Sequence, residues 1–342
     1  MYASSLFVRH RSLTVLSSLS VLALLSLGVC AATGSVSLPL ADLPAAVAEL
    51  LRGAPASLNA SLVALRLGRG AIAFVTGASL AMSGVMMQAL LRNPLADPYI
   101  LGISGGAAAG ALGTMLLASA LWAVELGAFA GALGIALLLY LLARRDLKAG
   151  AAQDGGSALL LLTGVMLSSG CMALVTLMLA LAPEGQLRGM VFWMIGDLTA
   201  MTPTLRPWLL LAAASIFALR VARPLNILAL HGDTAVTLGV QVGALRRSLF
   251  VCCSVLTASA VASAGSIGFV GLIVPHACRF AFGPDHRLLL PAATLAGGVF
   301  LVIADTLART LAAPQQLPVG VITAFVGVPV FLLQLHRVRR AR

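Results

Sequence analysis

Ser104 has the clearest hydrolase context of any side chain in this sequence. It lies in Gly102-Ile103-Ser104-Gly105-Gly106, which matches the Gly-x-Ser-x-Gly pattern of nucleophilic serines. A serine hydroxyl needs a base within hydrogen-bond reach, and His276 is the candidate base. Small residues at this spacing are equally expected where a helix packs closely against a neighbour. An intramembrane serine protease that uses Ser104 and His276 is therefore the weaker interpretation.

The sequence predicts neither an ATPase site nor a metal site. A phosphate-binding loop places a lysine after a glycine-rich turn, whereas the single lysine, Lys148, follows Leu147 in a charged segment. Any ATP and Mg²⁺ must then be bound by a partner subunit, and we expect no cofactor in this chain. The densest group of metal-ligand side chains lacks the regular spacing of a ligand set, which favours an ordinary polar loop; it consists of His276, Cys278, Asp285 and His286.

Two pairs of charged residues have helical spacing. Arg66 and Arg69 are three residues apart, so a helix places both on one face. Asp305 and Arg309 are four residues apart and can neutralise each other in an apolar environment. Outward-facing arginines can bind carboxylates of a partner protein, although contact with lipid phosphates explains them as well.

Membrane-spanning helices must position these residues. Of the 342 residues, 60% are hydrophobic and 10% are charged, against about 25% charged in soluble domains. A spanning helix needs ~17 to 25 apolar residues. Eight stretches without Asp, Glu, Lys or Arg reach this length, at residues 12–41, 70–91, 98–124, 126–143, 155–183, 248–278, 288–304 and 310–336.

Two refinements raise the predicted number of spans to ten. The run 248–278 can hold two helices with a turn at Ala264-Gly265-Ser266. The run 207–219 is short, but flanking Arg206 and Arg220 can reach the headgroups. No linker or charged tail separates a second domain, so we predict one all-α domain over residues 1–342, a bundle of ten transmembrane helices.

The basic residues predict the orientation of the bundle. The net charge is +11, from 22 basic and 11 acidic residues. With ten spans, most of the basic residues fall on the side of both termini, which the positive-inside rule assigns to the cytoplasm. We therefore expect a multi-pass membrane protein with both termini in the cytoplasm and no nucleic-acid binding. A secretory signal peptide over the first apolar run is the alternative for that segment alone.

The longest inner segment, residues 224–241, has an unusual pattern. Residues 224–230 are apolar but too few to span, and Gly232-Asp233 resembles a break followed by a new helix start. We predict two short interfacial helices here. Apolar side chains in a cytoplasmic loop suggest a docking surface for a soluble partner, and a position on the bilayer surface is the alternative.

Several motifs resemble the permeases of bacterial ABC importers for iron-siderophore, haem and cobalamin chelates. The most characteristic is Arg92-Asn93-Pro94-Leu95-Ala96-Asp97-Pro98. Gly68 departs from the usual proline of this family but keeps the spacing of Arg66 and Arg69. Further matching stretches lie at residues 66–69, 77–88, 101–107, 268–276, 283–287 and 317–331, so the resemblance covers nearly the whole chain.

The resemblance implies a permease subunit of the bacterial inner membrane without its own ATPase. Its expected partners are a second copy or a sister permease, two cytoplasmic ATPase subunits, an extracytoplasmic substrate-binding protein and the lipid bilayer. The implied docking residues for the binding protein are Arg66, Arg69 and Arg309. The implied inner gate consists of Asn93 and Leu95, with Ser157 as a looser match. The implied coupling residues are Leu228, Leu230, His231, Gly232, Asp233, Thr234, Leu238 and Gly239.

An ion-coupled secondary carrier is the rival transport mechanism. Such carriers place acidic residues along the path through the membrane. Asp305 and Glu125 are the only candidates, and both lie near the ends of predicted spans. The resemblance favours ATP-driven import instead.

Overall fold

A computed structural model of the chain describes residues 2–53, 57–118, 120–144, 155–198, 204–230 and 232–340. These residues form thirteen α-helices and two short 3-10 turns. The helices are α1 (Tyr2–Ala32), α2 (Leu43–Leu51), α3 (Leu58–Leu91), α4 (Ile103–Leu117), α5 (Leu121–Leu142), α6 (Gly155–Leu181), α7 (Glu184–Ile195), α8 (Arg206–Leu230), α9 (Gly232–Thr237), α10 (Val242–Ala264), α11 (Val270–Phe282), α12 (His286–Thr310) and α13 (Val319–Arg340).

The apolar helices agree with the predicted spans. Seven of them are long and apolar enough to cross a bilayer: α1, α3, α5, α6, α8, α10 and α12. The shorter apolar helices α4, α11 and α13 coincide with the other three predicted spans. The expected all-α membrane bundle is therefore confirmed.

Helix α3 forms the centre of the bundle. In its most apolar stretch 89% of the residues are buried, against 17% in the corresponding stretch of α6. Helix α3 packs against α1, α8, α10, α11 and α12. Glycines permit these close contacts: a β-carbon at Gly77 would clash with the Gly297 carbonyl of α12, and one at Gly84 with the Gly271 carbonyl of α11. Small residues of this kind let helix backbones approach each other in lipid.

The turn predicted at Ala264-Gly265-Ser266 is present. Helix α10 ends at Ala264, and Gly265 has a φ of +70°, which glycine adopts without the steric cost of a side chain. The chain then runs without regular structure to α11, which begins at Val270. The long run 248–278 thus holds two helices.

The prediction of two separate interfacial helices in residues 224–241 is wrong in its first half. Helix α8 continues through Pro224 to Leu230, because Leu225 and Leu228 are buried in the core of the bundle instead of facing water. Proline removes one backbone hydrogen bond, and we attribute the continuity of the helix to this packing. The second half contains the short helix α9, which contacts α8 and α10.

Candidate functional site

Arg66 lies on α3 and caps the end of α1. Ser57 starts α3 by accepting a hydrogen bond from the Ala60 amide at 3.1 Å. The Arg66 Nη1 atom donates to the carbonyls of Ala31 and Ala32, each at 3.0 Å, and Nη2 donates to the Val36 carbonyl. The last carbonyls of a helix have no partner within it, so Arg66 supplies those partners from a second helix.

Arg69 and Arg309 share one carboxylate. Arg69 Nε lies 2.9 and 3.0 Å from the two oxygens of Asp305, and its Nη1 donates to Gln316 Oε1 at 2.8 Å. Arg309 Nε lies 3.1 Å from Asp305 Oδ2, as the four-residue spacing predicted. The side chain of Asp305 is completely buried, so both arginines compensate its charge where water cannot.

The three arginines line one cavity of about 400 Å³, together with Ser35, Val36, Leu62, Ala64, Leu65, Gly68, Leu198 and Gln316. We call it the arginine cavity. Among the described residues, the carboxylate paired with these arginines is that of Asp305, which contacts Arg69 and Arg309 but not Arg66, and this leaves an excess of positive charge. Arg69 Nη2 lies 2.8 Å from Asp305 Oδ1, and 12% of the Arg69 side chain is exposed. The cavity is thus suited to binding an anionic group.

A second group of polar contacts lies at the opposite end of α3. Arg279 on α11 donates from Nη2 to Gln88 Oε1 at 2.9 Å, and the Gln88 amide reaches the carbonyl of Leu272 at 3.4 Å. A cavity of about 250 Å³ adjoins them, lined by Ala89, Arg92, Pro94, Ala229, Pro284 and His286 as well. Because Ala229 lies on α8 just before α9, this cavity borders the predicted coupling segment.

The predicted coupling residues are in different environments. Leu228 is buried, whereas Leu238 is 60% exposed. Gly239 follows α9 with a φ of +79°, a left-handed conformation that glycine accommodates. His231 lies outside the described residues, and only the backbone is described for Leu230, Gly232, Asp233 and Thr234.

Two of the predicted gate residues lie just after α3. Arg92 ends this helix with a φ of +48°, and Asn93 Oδ1 then accepts a hydrogen bond from the Leu95 amide at 2.9 Å. Leu95 is 37% exposed. The third, Ser157, belongs to the first turn of α6, where only the backbone is described.

Asp97 is a buried carboxylate beside these gate residues. Its side chain accepts a hydrogen bond from the Tyr99 amide at 2.9 Å and so starts the 3-10 turn Pro98–Leu101. Burial raises the pKa of Asp97 to about 6, although the hydrogen bond from Tyr99 opposes this effect. The motif that contains Asp97 suggested a gate, but nothing in it predicted this environment.

Comparison with known proteins places the chain in a family. The sequence matches the FecCD transport family over residues 19–337. The chain belongs to the FecCD transport family. It is 40% identical over 299 residues to the cobalamin import system permease protein BtuC of Halobacterium salinarum, a match that covers 84% of this chain and 77% of that relative. It is also 40% identical over 280 residues to the hemin transport system permease protein HmuU of Yersinia pestis, covering 81% and 84% of the two chains.

Solved structures agree with this family. A metal-chelate type ABC transporter in an inward-facing conformation superposes with a TM-score of 0.79 at 28% identity, covering 95% of this chain and 99% of that one. This member of the FecCD family is therefore the permease subunit of an ABC importer and has no ATPase site of its own, as predicted. Membership in the FecCD family also argues against the two alternatives, an intramembrane serine protease and an ion-coupled carrier. Ser104 then belongs to close helix packing, because the next two residues, Gly105 and Gly106, lie against Cys171 of α6 and Gly131 of α5.

Proposed function

We propose that this permease imports a metal chelate across the cytoplasmic membrane, with cobalamin, haem and ferric siderophores as the candidate cargoes. The observation that carries the proposal is the match to the FecCD family over residues 19–337. Relatives at 40% identity are named for cobalamin and hemin transport. These two metal tetrapyrroles are therefore the first compounds to test.

In this proposal the arginine cavity lies on the extracytoplasmic side and receives carboxylates of a substrate-binding protein. The excess of guanidinium groups over carboxylates supports this assignment. Arg69 is the most accessible of the three, with 12% of its side chain exposed. Arg66 and Arg309 are more deeply buried, so they contribute charge from behind Arg69.

Residues 224–241 would lie at the cytoplasmic end of the bundle, and their second half would contact the ATPase subunits. Both termini lie on that side in the orientation that the basic residues predict. The exposed Leu238 and Val236 give α9 an apolar surface that a cleft in a soluble subunit could cover. ATP and Mg²⁺ would bind to two such ATPase subunits, and their approach on binding ATP would displace α9.

The cargo would pass between this chain and a second permease, either an identical copy or a sister chain. Asn93, Leu95 and Ser157 would narrow that path at its inner end. Alternating access then follows from a rigid-body change at the interface, which opens first to one side and then to the other. The binding protein would supply most of the selectivity for the chelate.

Reconstitution tests this function. The permease, its ATPase subunits and its binding protein are placed in proteoliposomes, and uptake of cobalamin, haem and a ferric siderophore is measured separately. We expect uptake of one of them to require Mg-ATP. Uptake that a proton gradient drives without ATP contradicts the proposal.

A further inference from the structure

Asn226 joins α8 to the start of α12 through both atoms of its side-chain amide. Its Nδ2 donates to Asp285 Oδ1 at 2.6 Å. Its Oδ1 accepts from the His286 backbone amide at 2.8 Å and lies 2.8 Å from His286 Nδ1. We call these three residues the Asn226 clamp. The donor and the acceptor of one amide are thus both directed at the same helix end.

The clamp completes the cap of α12. The first amide groups of a helix lack partners within it; here Asp285 accepts from the Arg287 amide at 3.0 Å, and Asn226 accepts from that of His286. The hydrogen bonds from Arg287 and Asn226 hold the pKa of Asp285 below its ordinary value, although its partial burial acts in the opposite direction. Asp285 therefore faces Asn226 as a carboxylate, and charge-assisted hydrogen bonds of this kind are the strong ones.

The position of the clamp links two parts of the transporter. Asn226 precedes the end of α8 at Leu230 by four residues, and α9 begins at Gly232. Helix α12 then runs for 25 residues without a break, about 37 Å at the rise of an α-helix. Its other end carries Asp305 and Arg309 in the arginine cavity. One helix thus connects the clamp to that cavity.

We propose that Asn226 is a positioning residue that makes α12 move together with the coupling segment. Displacement of α9 by the ATPase subunits pulls on the end of α8, and the clamp transfers this displacement to α12. A discrete contact between two rigid helices is the kind of element that transmits such a change. The inference rests on the proposed contact between residues 224–241 and the ATPase.

Exchanging the two partners tests the clamp. N226D sets two carboxylates against each other at the 2.6 Å contact, whereas N226D/D285N restores an amide opposite a carboxylate. In the complete transporter in proteoliposomes, the readout is chelate moved per ATP hydrolysed. We expect N226D to lower this ratio about tenfold and the double variant to recover most of it, since directly contacting pairs couple strongly. The amount of ATPase subunits that co-purifies with each variant must equal the amount that co-purifies with the wild type.

The chain offers a matched control at the arginine end. Asn59 Nδ2 donates to Asp42 Oδ2 at 3.1 Å in an exposed pair, so N59D creates the same repulsion away from the clamp and should leave the ratio unchanged. If N226D does not fold, N226A removes the contacts without adding charge and should lower the ratio by about fivefold.

Four outcomes separate the possible failures. A wild-type ratio in N226D or N226A overturns the inference, and so does a double variant no better than N226D. Transport by the wild type without any ATPase subunit overturns the proposed function instead. If N59D lowers the amount of chelate moved per ATP hydrolysed as much as N226D does, the inference is also overturned, because any pair of like charges would then have the same effect.

Discussion

The guanidinium of Arg69 on α3 and the carboxylate of Asp305 on α12 form an ion pair whose contacts measure 2.8 to 3.0 Å. The pair joins two helices that also pack through Gly77 and Gly297. Because Asp305 is fully buried, the arginines are its only source of compensating charge among the described residues. Removal of the Asp305 carboxylate should therefore lower the stability of the protein.

We expect D305N to destabilise the protein by about 3 to 5 kcal/mol, because loss of one partner leaves buried charges uncompensated. Here Arg69 and Arg309 would face each other without a carboxylate. Thermal unfolding in detergent measures the effect. E184Q at the exposed start of α7 removes an acidic charge that lies at the surface and should change stability little. Equal unfolding temperatures for D305N and the wild type would contradict the structural role of Asp305.

Arg69 should dominate the affinity for the binding protein. R69Q removes the charge of the most accessible arginine in the cavity, while Arg309 still pairs with Asp305. We expect R69Q to weaken binding about tenfold, within the range for charge pairs at interfaces. The affinity of the wild type should fall with salt, and that of R69Q should depend less on salt. Titration of the binding protein onto the permease in nanodiscs measures both. R52Q, on an exposed arginine after α2, is the control; if it weakens binding as strongly as R69Q, the docking assignment is wrong.

The ten apolar helices could be predicted because the length of an apolar run directly reflects the thickness of the bilayer. The pair Asp305 and Arg309 could also be predicted, since four residues make one helical turn. The contact between Arg69 and Asp305 could not, because the two residues are 236 positions apart. Such a contact depends on the rotation and register of two helices, which the packing of Gly77 against Gly297 determines only in the folded bundle.

The short helices show another limit of prediction from sequence. Helices α2 and α7 contain 9 and 12 residues, too few to leave an apolar run of spanning length. Pro44 in the first turn of α2 and Pro183 as the N-cap of α7 were available start signals. Conversely, the sequence predicted a separate short helix over residues 224–230, yet α8 continues through Pro224, because burial of Leu225 and Leu228 outweighs local propensity.

A charged substitution at Leu238 tests whether residues 224–241 contact the ATPase subunits. L238E places a charge on an exposed apolar side chain beside α9, and we expect the ATPase subunits to be lost on purification of the permease, because a charge buried at an interface without a partner is costly. L51E on α2 introduces the same charge at a similarly exposed leucine and should leave recovery of the ATPase unchanged. Full recovery with L238E would contradict the assignment of residues 224–241.

Asp97 should make the stability of the protein depend on pH. Its pKa in the folded protein is about 6, above the ordinary value of 3.8, so the folded state binds more protons than the unfolded state between these values. The contribution of Asp97 to stability therefore rises as the pH falls from about 7 to 4, by about 3 kcal/mol at most, and the difference between the wild type and D97N isolates it from the other titrating groups. Substitution D97N keeps the oxygen that accepts from the Tyr99 amide and should remove this dependence. Unfolding temperatures measured from pH 5 to 7 give the slope.

D285N is the control for this measurement because the pKa of Asp285 is shifted the opposite way. A lowered pKa contributes stability that is present above the ordinary value of 3.8 and is lost only as the pH falls below it. The stability difference between D285N and the wild type should therefore stay nearly constant from pH 5 to 7, whereas the difference between D97N and the wild type should grow as the pH falls. A wild-type slope in D97N would mean that Asp97 is ionised throughout this range, and its environment beside Asn93 and Leu95 would then have to be more polar than its burial indicates.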